Sequence, residues 1–251
     1  MGRSSMSYGF GRTYPGKDSQ ERRKSRAQLC LRTLKVSRLV LFSIGGEHER
    51  QTVDRASELG CPYVLIDRYF TDKPNVSVCS DNIEGAHKAV TNLVKQEFRQ
   101  FALVTPPKEH SVVIERIAGF EKAVEKARIS QKDIIRLTVP YEIFNESTQR
   151  REQMLDNWIS QYYGQFTALV AVDVELARLA YYSLIRTIGK ERAKCIAIVT
   201  FDDPEIDGIA YVQQDEKMIG IQAVTLLLDQ IHHGIRTPKK LFVPMEWVPS
   251  S

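Results

Sequence analysis

Short apolar runs rich in β-branched residues alternate along most of this chain with stretches whose apolar residues recur every three or four positions. The runs predict strands at 38–44, 63–66, 76–79, 101–105, 134–139, 168–172 and 195–201. Several are apolar at successive positions, as strands covered on both faces of a parallel sheet must be. The periodic stretches predict helices. One sets Ala86, Val90, Leu93 and Val94 on a single face behind an N-cap at Asp81 or Asn82, and another groups Ile114, Ile117, Phe120 and Val124. A third runs over 148–162 with Met154, Leu155, Trp158 and Ile159 inward, and a fourth follows Asp173 with Leu176, Leu179, Ala180 and Leu184. The last spans about 217–232, turns Ile221, Val224, Leu228 and Ile231 inward, and stops at Gly234 ahead of Pro238.

Repeated strand–helix–strand alternation means doubly wound parallel sheets, and 251 residues suit two sheets better than one. No Pro- or Ser-rich linker divides the chain, which fits two lobes joined by several crossings. A content of 43% hydrophobic and 26% charged residues supplies enough core for either arrangement. No run approaches the roughly 18 to 20 apolar residues of a membrane span. The polar, basic start is followed by no apolar signal region, so the expected location is the cytoplasm, with no membrane partner. Charge is uneven: residues 1–33 hold eight basic and two acidic side chains, whereas the whole chain carries +4. Without a recognition helix or interleaved aromatics, that head reads as a solvated helix face before a nucleic-acid contact.

Cys30, Cys61, Cys79 and Cys195 are widely spaced and read as reduced thiols, and neighbouring His232 and His233 diverge on a helix, so no metal site is expected. Ligands of open α/β sheets sit beyond the carboxyl ends of the strands, which makes polar residues just after strands the ones to inspect. Asp67 and Arg68 follow the strand at 63–66 and offer an acceptor beside a rigid donor fork, suited to sugar hydroxyls or to a structural ion pair. Asp202 and Asp203 precede Pro204, where a turn explains them better than acid–base catalysis. Arg116, near a helix start, either reaches over the crevice or pairs with Glu115. Nucleotide loops and hydrolase motifs are absent, so neither a cofactor nor an enzyme is expected.

In order, the runs PYVLIDRYF, SDNIEGAHKAV, ERIAGFEKAV, CIAIVTFDDPEIDG and QQDEKMIGIQAVTLLLDQI resemble the LacI/GalR family of transcription regulators over about residues 36–248. The resemblance implies an α/β fold of periplasmic-binding-protein-like type I, with two Rossmann-like subdomains, parallel sheets and three hinge crossings. It implies an N-terminal subdomain of 1–79 plus about 215–236 and a C-terminal one of 80–214 plus about 237–251. Residues 7–35 match the family's second strand and helix, leaving its DNA-binding helices and the first strand and helix of the N-terminal lobe without a counterpart. The implied function is sensing of a sugar or sugar-like effector in a homodimer that reads operator DNA only through a region absent from this chain. By motif, the ligand contacts fall on Asp67, Arg68, Arg116, Asp202 and Gln214, with Phe144 as a stacking aromatic. Arg116→Ala is expected to abolish binding and leave the fold intact. The chain departs from the family at Val172, where an Asn is frequent, and in a shortened segment between Phe201 and Gln214. A sugar-binding protein of an uptake system shares the fold and is the alternative.

Overall fold

A computed structural model describes residues 38–43, 47–234 and 237–250, and the expected strand and helix within 7–35 lie outside them. Two sheets organise the described chain. One contains β1 (Leu39–Phe42), β2 (Tyr63–Ile66), β3 (Val76–Ser80) and β9 (Lys239–Val243), in that order and all parallel. The other contains β4 (Phe101–Thr105), β5 (Ile134–Thr138), β6 (Ala168–Ala171), β7 (Ala197–Phe201), β8 (Ala210–Gln213) and β10 (Glu246–Val248). Its order is β10-β8-β7-β6-β4-β5, parallel except where β10 runs antiparallel beside β8. The helices are α1 (Glu47–Glu58), α2 (Asn82–Lys95), α3 (Ser111–Lys126), α4 (Thr148–Tyr162), α5 (Val174–Ile188), the short α6 (Lys190–Ala193) and α7 (Glu216–His233).

The second sheet is covered on both faces, which is why its central strands β4, β6 and β7 are almost wholly apolar and buried, whereas the edge strand β5 alternates. Ala86 and Val90 of α2 and Phe120 and Val124 of α3 meet Leu103 and Val199 on one side. Leu155 and Ile159 of α4 and Leu176 and Leu184 of α5 meet Val104 and Leu169 on the other. In the first sheet, α7 packs on Val64, Val76, Val78 and Val243, while Val53 of α1 meets Leu65 and Phe70 on the opposite face.

The sequence pattern misplaces three things. Ile221, Val224, Leu228 and Ile231 are 36–53% exposed, and Ile219, Ala223, Leu226, Leu227 and Gln230 face the sheet instead. Helix α7 is apolar on two faces, so a 3.6-residue period could not choose between them. The choice fell to Gln230, whose amide donates to the Tyr63 carbonyl and accepts from the Tyr63 N–H. Ile114 of α3 is likewise exposed, although Ile117, Phe120 and Val124 are buried as expected. Finally, 239–243 does not join the second lobe: β9 extends the first sheet beside β3, with Val243 in the core under α7. The chain crosses only after it, ahead of β10. Helix α7 does stop at Gly234, which takes a left-handed φ of 65° and donates its N–H to the Gln230 carbonyl.

The crossings between sheets lie at 80–82, 213–216 and 243–246, and they are tied to one another. Ser80 Oγ donates to Gln214 Oε1 at 2.7 Å, joining the first and second, and the Asp81 N–H donates to the Val243 carbonyl at 2.8 Å, joining the first and third. In the second sheet, β4 has β5 on one side and β6 on the other, so the strand order reverses there. A crevice opens beyond the carboxyl ends of strands at such a point.

Candidate functional site

Two aspartates with left-handed backbone follow strands at their carboxyl ends, one in each lobe. Asp67, just after β2, has φ 71°; its N–H donates to the Val78 carbonyl, and the Arg68 N–H reaches back to the Ile66 carbonyl in a three-residue turn. Asp202, just after β7, has φ 66° and donates its N–H to the Val212 carbonyl. Aspartate tolerates this region better than bulky or β-branched residues do, and such strained positions cluster at functional sites. Each carboxylate is already engaged. Asp67 Oδ2 lies 3.6 Å from Arg68 Nε, and Gln214 Nε2 donates to both Asp202 oxygens at 2.9 and 2.7 Å. With its Oε1 accepting from Ser80, the Gln214 amide is also a strut between the first and second crossings.

Arg116 is the centre of a second network and is only 2% exposed. Helix α3 starts at the carboxyl end of β4, and its first turns place Arg116 over the switch point. Its Nε donates to Asn82 Oδ1 at 2.9 Å and its Nη1 to the Val172 carbonyl at 2.7 Å, while the guanidinium lies 4.0 Å from the Phe201 ring centroid. The position of Val172 therefore contributes a backbone acceptor, which any side chain there would leave intact. Asp173 caps α5, accepting from the Glu175 N–H. Asp81, rather than Asn82, caps α2, accepting from the Glu84 N–H, which frees Asn82 for Arg116.

Glu115 does not form the ion pair with Arg116 that adjacency suggests. It points to the first lobe, where Tyr69 Oη donates to its Oε1 at 2.5 Å, and Asn82 Nδ2 donates to its Oε2 at 3.1 Å. Burial pushes this carboxyl above its ordinary range, against the two hydrogen bonds that favour its charged form. Burial and the Glu115 carboxylate together push the Tyr69 phenol up. Tyr69 and Ser80 go unnoticed in the sequence, while Asn82 reads as a candidate helix cap and Glu115 as a candidate partner of Arg116; Tyr69 adjoins Arg68, and that adjacency is the available signal.

A cavity of about 280 Å³ opens between the lobes, lined on one side by Ser43, Arg68 and Tyr69 and on the other by Glu109, His110 and Ser111. It brings in Arg68 but neither Arg116 nor Asp202; its link to the Arg116 network runs through Tyr69, which donates to Glu115, and through Ser111 at the start of α3. Burial, reinforced by the Arg68 charge, lowers His110 to about 4, leaving a neutral imidazole that both donates and accepts. Phe144 lies on the 3-10 turn Tyr141–Asn145 and packs against the core of the second lobe, outside both networks. The arrangement presents donors and acceptors of both signs to a polar ligand, and no His, Cys, Asp and Glu group that would hold a metal occurs among the described residues.

Comparison with known proteins agrees with this geometry. Residues 90–250 match the periplasmic binding protein-like domain. The chain is 26% identical over 207 residues to the HTH-type transcriptional repressor PurR of Aliivibrio salmonicida, covering 79% of this chain and 59% of that protein. It spans about three-fifths of the length of the curated relatives it matches. A LacI family regulator from Enterococcus faecium with bound ribose superposes with a TM-score of 0.70 at 20% identity, covering 88% of this chain and 80% of that one. The Cra regulator of Pseudomonas putida in complex with fructose 1-phosphate gives 0.71 at 19% identity, covering 94% and 84%. These relatives are regulators of transcription rather than enzymes, and they uphold the LacI-type resemblance read in the sequence. From the matching domain, the two-lobed fold and its tied crossings, we conclude that the chain belongs to the family of periplasmic-binding-protein-like domains.

Proposed function

We propose that this chain senses a sugar or sugar-like metabolite for a cytoplasmic transcription regulator, whose operator-reading region lies outside the chain. The observation that carries the reading is Arg116: a guanidinium buried at the switch point and held by Asn82, Val172 and Phe201, on a helix whose start at His110 and Ser111 lines an inter-lobe cavity with Arg68. Rigid guanidinium forks suit polar ligands rich in oxygen acceptors. Related structures holding ribose and fructose 1-phosphate support the ligand class. In this reading Asp67, Arg68, Arg116 and Asp202 are the polar contacts, and ligand binding shifts the population of lobe arrangements. A thermal-shift screen against pentoses, hexoses, disaccharides and sugar phosphates tests it. A ligand at 100 times its Kd adds about 2.7 kcal/mol of stability, a clear rise in melting temperature. No shift with any member of the panel rejects a sugar effector.

The same proposal includes a homodimer, with the outward face of α7 as the surface between copies. Ile221, Val224, Leu228 and Ile231 form an uncharged stripe along it, and Val40 and Phe42 of β1 are exposed on the same face of the sheet. Asp215 and Glu216 begin this helix and His232 and His233 end it, so an antiparallel two-fold pairing sets each acidic start beside the partner's basic-leaning end. Leu228→Asp is expected to halve the mass seen by analytical ultracentrifugation at micromolar concentration. Its melting temperature should match that of the parent diluted to the monomeric state, since an exposed substitution itself costs within about 0.5 kcal/mol. A monomeric parent chain removes this part of the proposal.

A further inference from the structure

We infer that Tyr69 and Glu115 form a latch between the lobes that positions Arg116 through Asn82, so that the angle between the lobes and the alignment of the guanidinium are set together. Tyr69 belongs to the first lobe, three residues beyond the end of β2, and Glu115 to α3 of the second. Their 2.5 Å contact joins the lobes directly, and the Tyr69 N–H adds a second link by donating to Ser111 Oγ at 3.1 Å. The Tyr69 ring is itself held, with Lys240 Nζ 3.7 Å from its centroid and Phe242 against its edge.

Each bond beyond the latch depends on the one before it. Glu115 is 6% exposed and has no salt-bridge partner among the described residues; its two oxygens are used by Tyr69 and Asn82. An acceptor at Oε2 fixes which way the Asn82 amide faces, because Nδ2 donates there and to the Ser80 carbonyl. That orientation turns Oδ1 toward Arg116 Nε. A flipped Asn82 would set its NH2 against the guanidinium, donor against donor. When the lobes part and Tyr69 withdraws, a buried carboxylate loses one of two donors, a costly state that favours movement of the whole Glu115–Asn82–Arg116 group. Asn82 sits in the first crossing, so the group that responds is also the one that must bend.

The test needs no ligand, and its failure is therefore separate from failure of the sugar reading. In the full chain with Cys30 and Cys195 replaced by Ser, spin labels at Glu58 of α1 and Glu125 of α3, both exposed, report the inter-lobe distance. Modification by phenylglyoxal, read by mass spectrometry, reports the exposure of Arg116 relative to the open Arg192. The parent is expected to show one narrow distance and slow Arg116 modification. Tyr69→Phe and Glu115→Ala should lengthen and broaden the distance and speed Arg116 modification several-fold, with Arg192 unchanged. Glu115→Gln should restore the parent behaviour, since its amide oxygen serves Asn82 while its nitrogen donates to the Tyr69 oxygen. If Tyr69→Phe only lowers the melting temperature, or opens the lobes without exposing Arg116, the latch is overturned.

Discussion

Arg116→Ala is expected to weaken ligand binding by roughly 100-fold, about 2.7 kcal/mol, and to destabilise the fold by about 3 kcal/mol. The second effect reverses the expectation of an intact fold that the sequence suggests. A surface clamp can be cut away without harm, but this guanidinium is buried and holds three groups at once. Without it, Asn82 Oδ1 and the Val172 carbonyl lose their donor in a site closed to water, and Phe201 loses the cation against its ring. An unsatisfied buried acceptor costs about 1 to 3 kcal/mol, so two of them account for the expected loss. Arg116→Lys should recover part of the stability and little of the binding, because an ammonium reaches one of the two acceptors but has no planar fork. Urea unfolding and titration with a sugar identified by the thermal-shift screen measure the two effects. A variant as stable as the parent would mean that Asn82 and Val172 find other donors.

Gly119→Ala should be as damaging, although alanine is the better helix former by about 1 kcal/mol. A Cβ at Gly119 would lie 2.2 Å from the Ile83 carbonyl oxygen and 2.7 Å from Ala86 Cβ. Both belong to α2, one to its backbone, so relief requires the helices to separate. Overpacking of this kind costs about 1 to 3 kcal/mol and sometimes more, and here the contact is with a carbonyl that cannot rotate away. A net loss of about 3 kcal/mol lowers the melting temperature by on the order of 10 °C for a chain of this size. Separation also has a chemical consequence, since α2 carries Asn82 and α3 carries Glu115 and Arg116. The variant is therefore expected to bind ligand weakly even below its melting temperature. Melting and binding indistinguishable from the parent would show that the helix crossing relaxes without cost.

These residues show what a linear pattern conveys and what it omits. The strands at 63–66, 101–105 and 168–172 are legible because burial on both faces demands uninterrupted apolar side chains, and the structure bears them out within one residue. Helix α1 is not legible: it buries Val53 and Ala56 but is otherwise polar, leaving too few apolar positions to establish a period. Strand β9 opens with two lysines because it lies at an edge, and its membership of the first sheet depends on pairing with β3 some 160 residues earlier, which no local signal carries. In the site, Arg116 is legible from its motif, yet its depth is not, because burial of a charge depends on acceptors from α2 and from Val172 just beyond β6. The left-handed φ of Asp67 and Asp202 is equally hidden, since an aspartate after a strand reads as a cap or a turn whatever its backbone does.

The placement of β9 governs the order in which the lobes can be finished. Among the described residues, what the second sheet's five parallel strands pack against lies between residues 82 and 213, apart from Met245 and the short β10, so most of that lobe can close once this continuous stretch leaves the ribosome. The first lobe begins earlier and must wait longer. Among the described residues, the apolar cover that Val64, Val76 and Val78 receive from Ile219 and Leu227 arrives late in the chain, as does their neighbour Val243. The lobe translated first is thus the last to be sealed, and through most of synthesis its open face is the part of the nascent chain that most needs protection from aggregation.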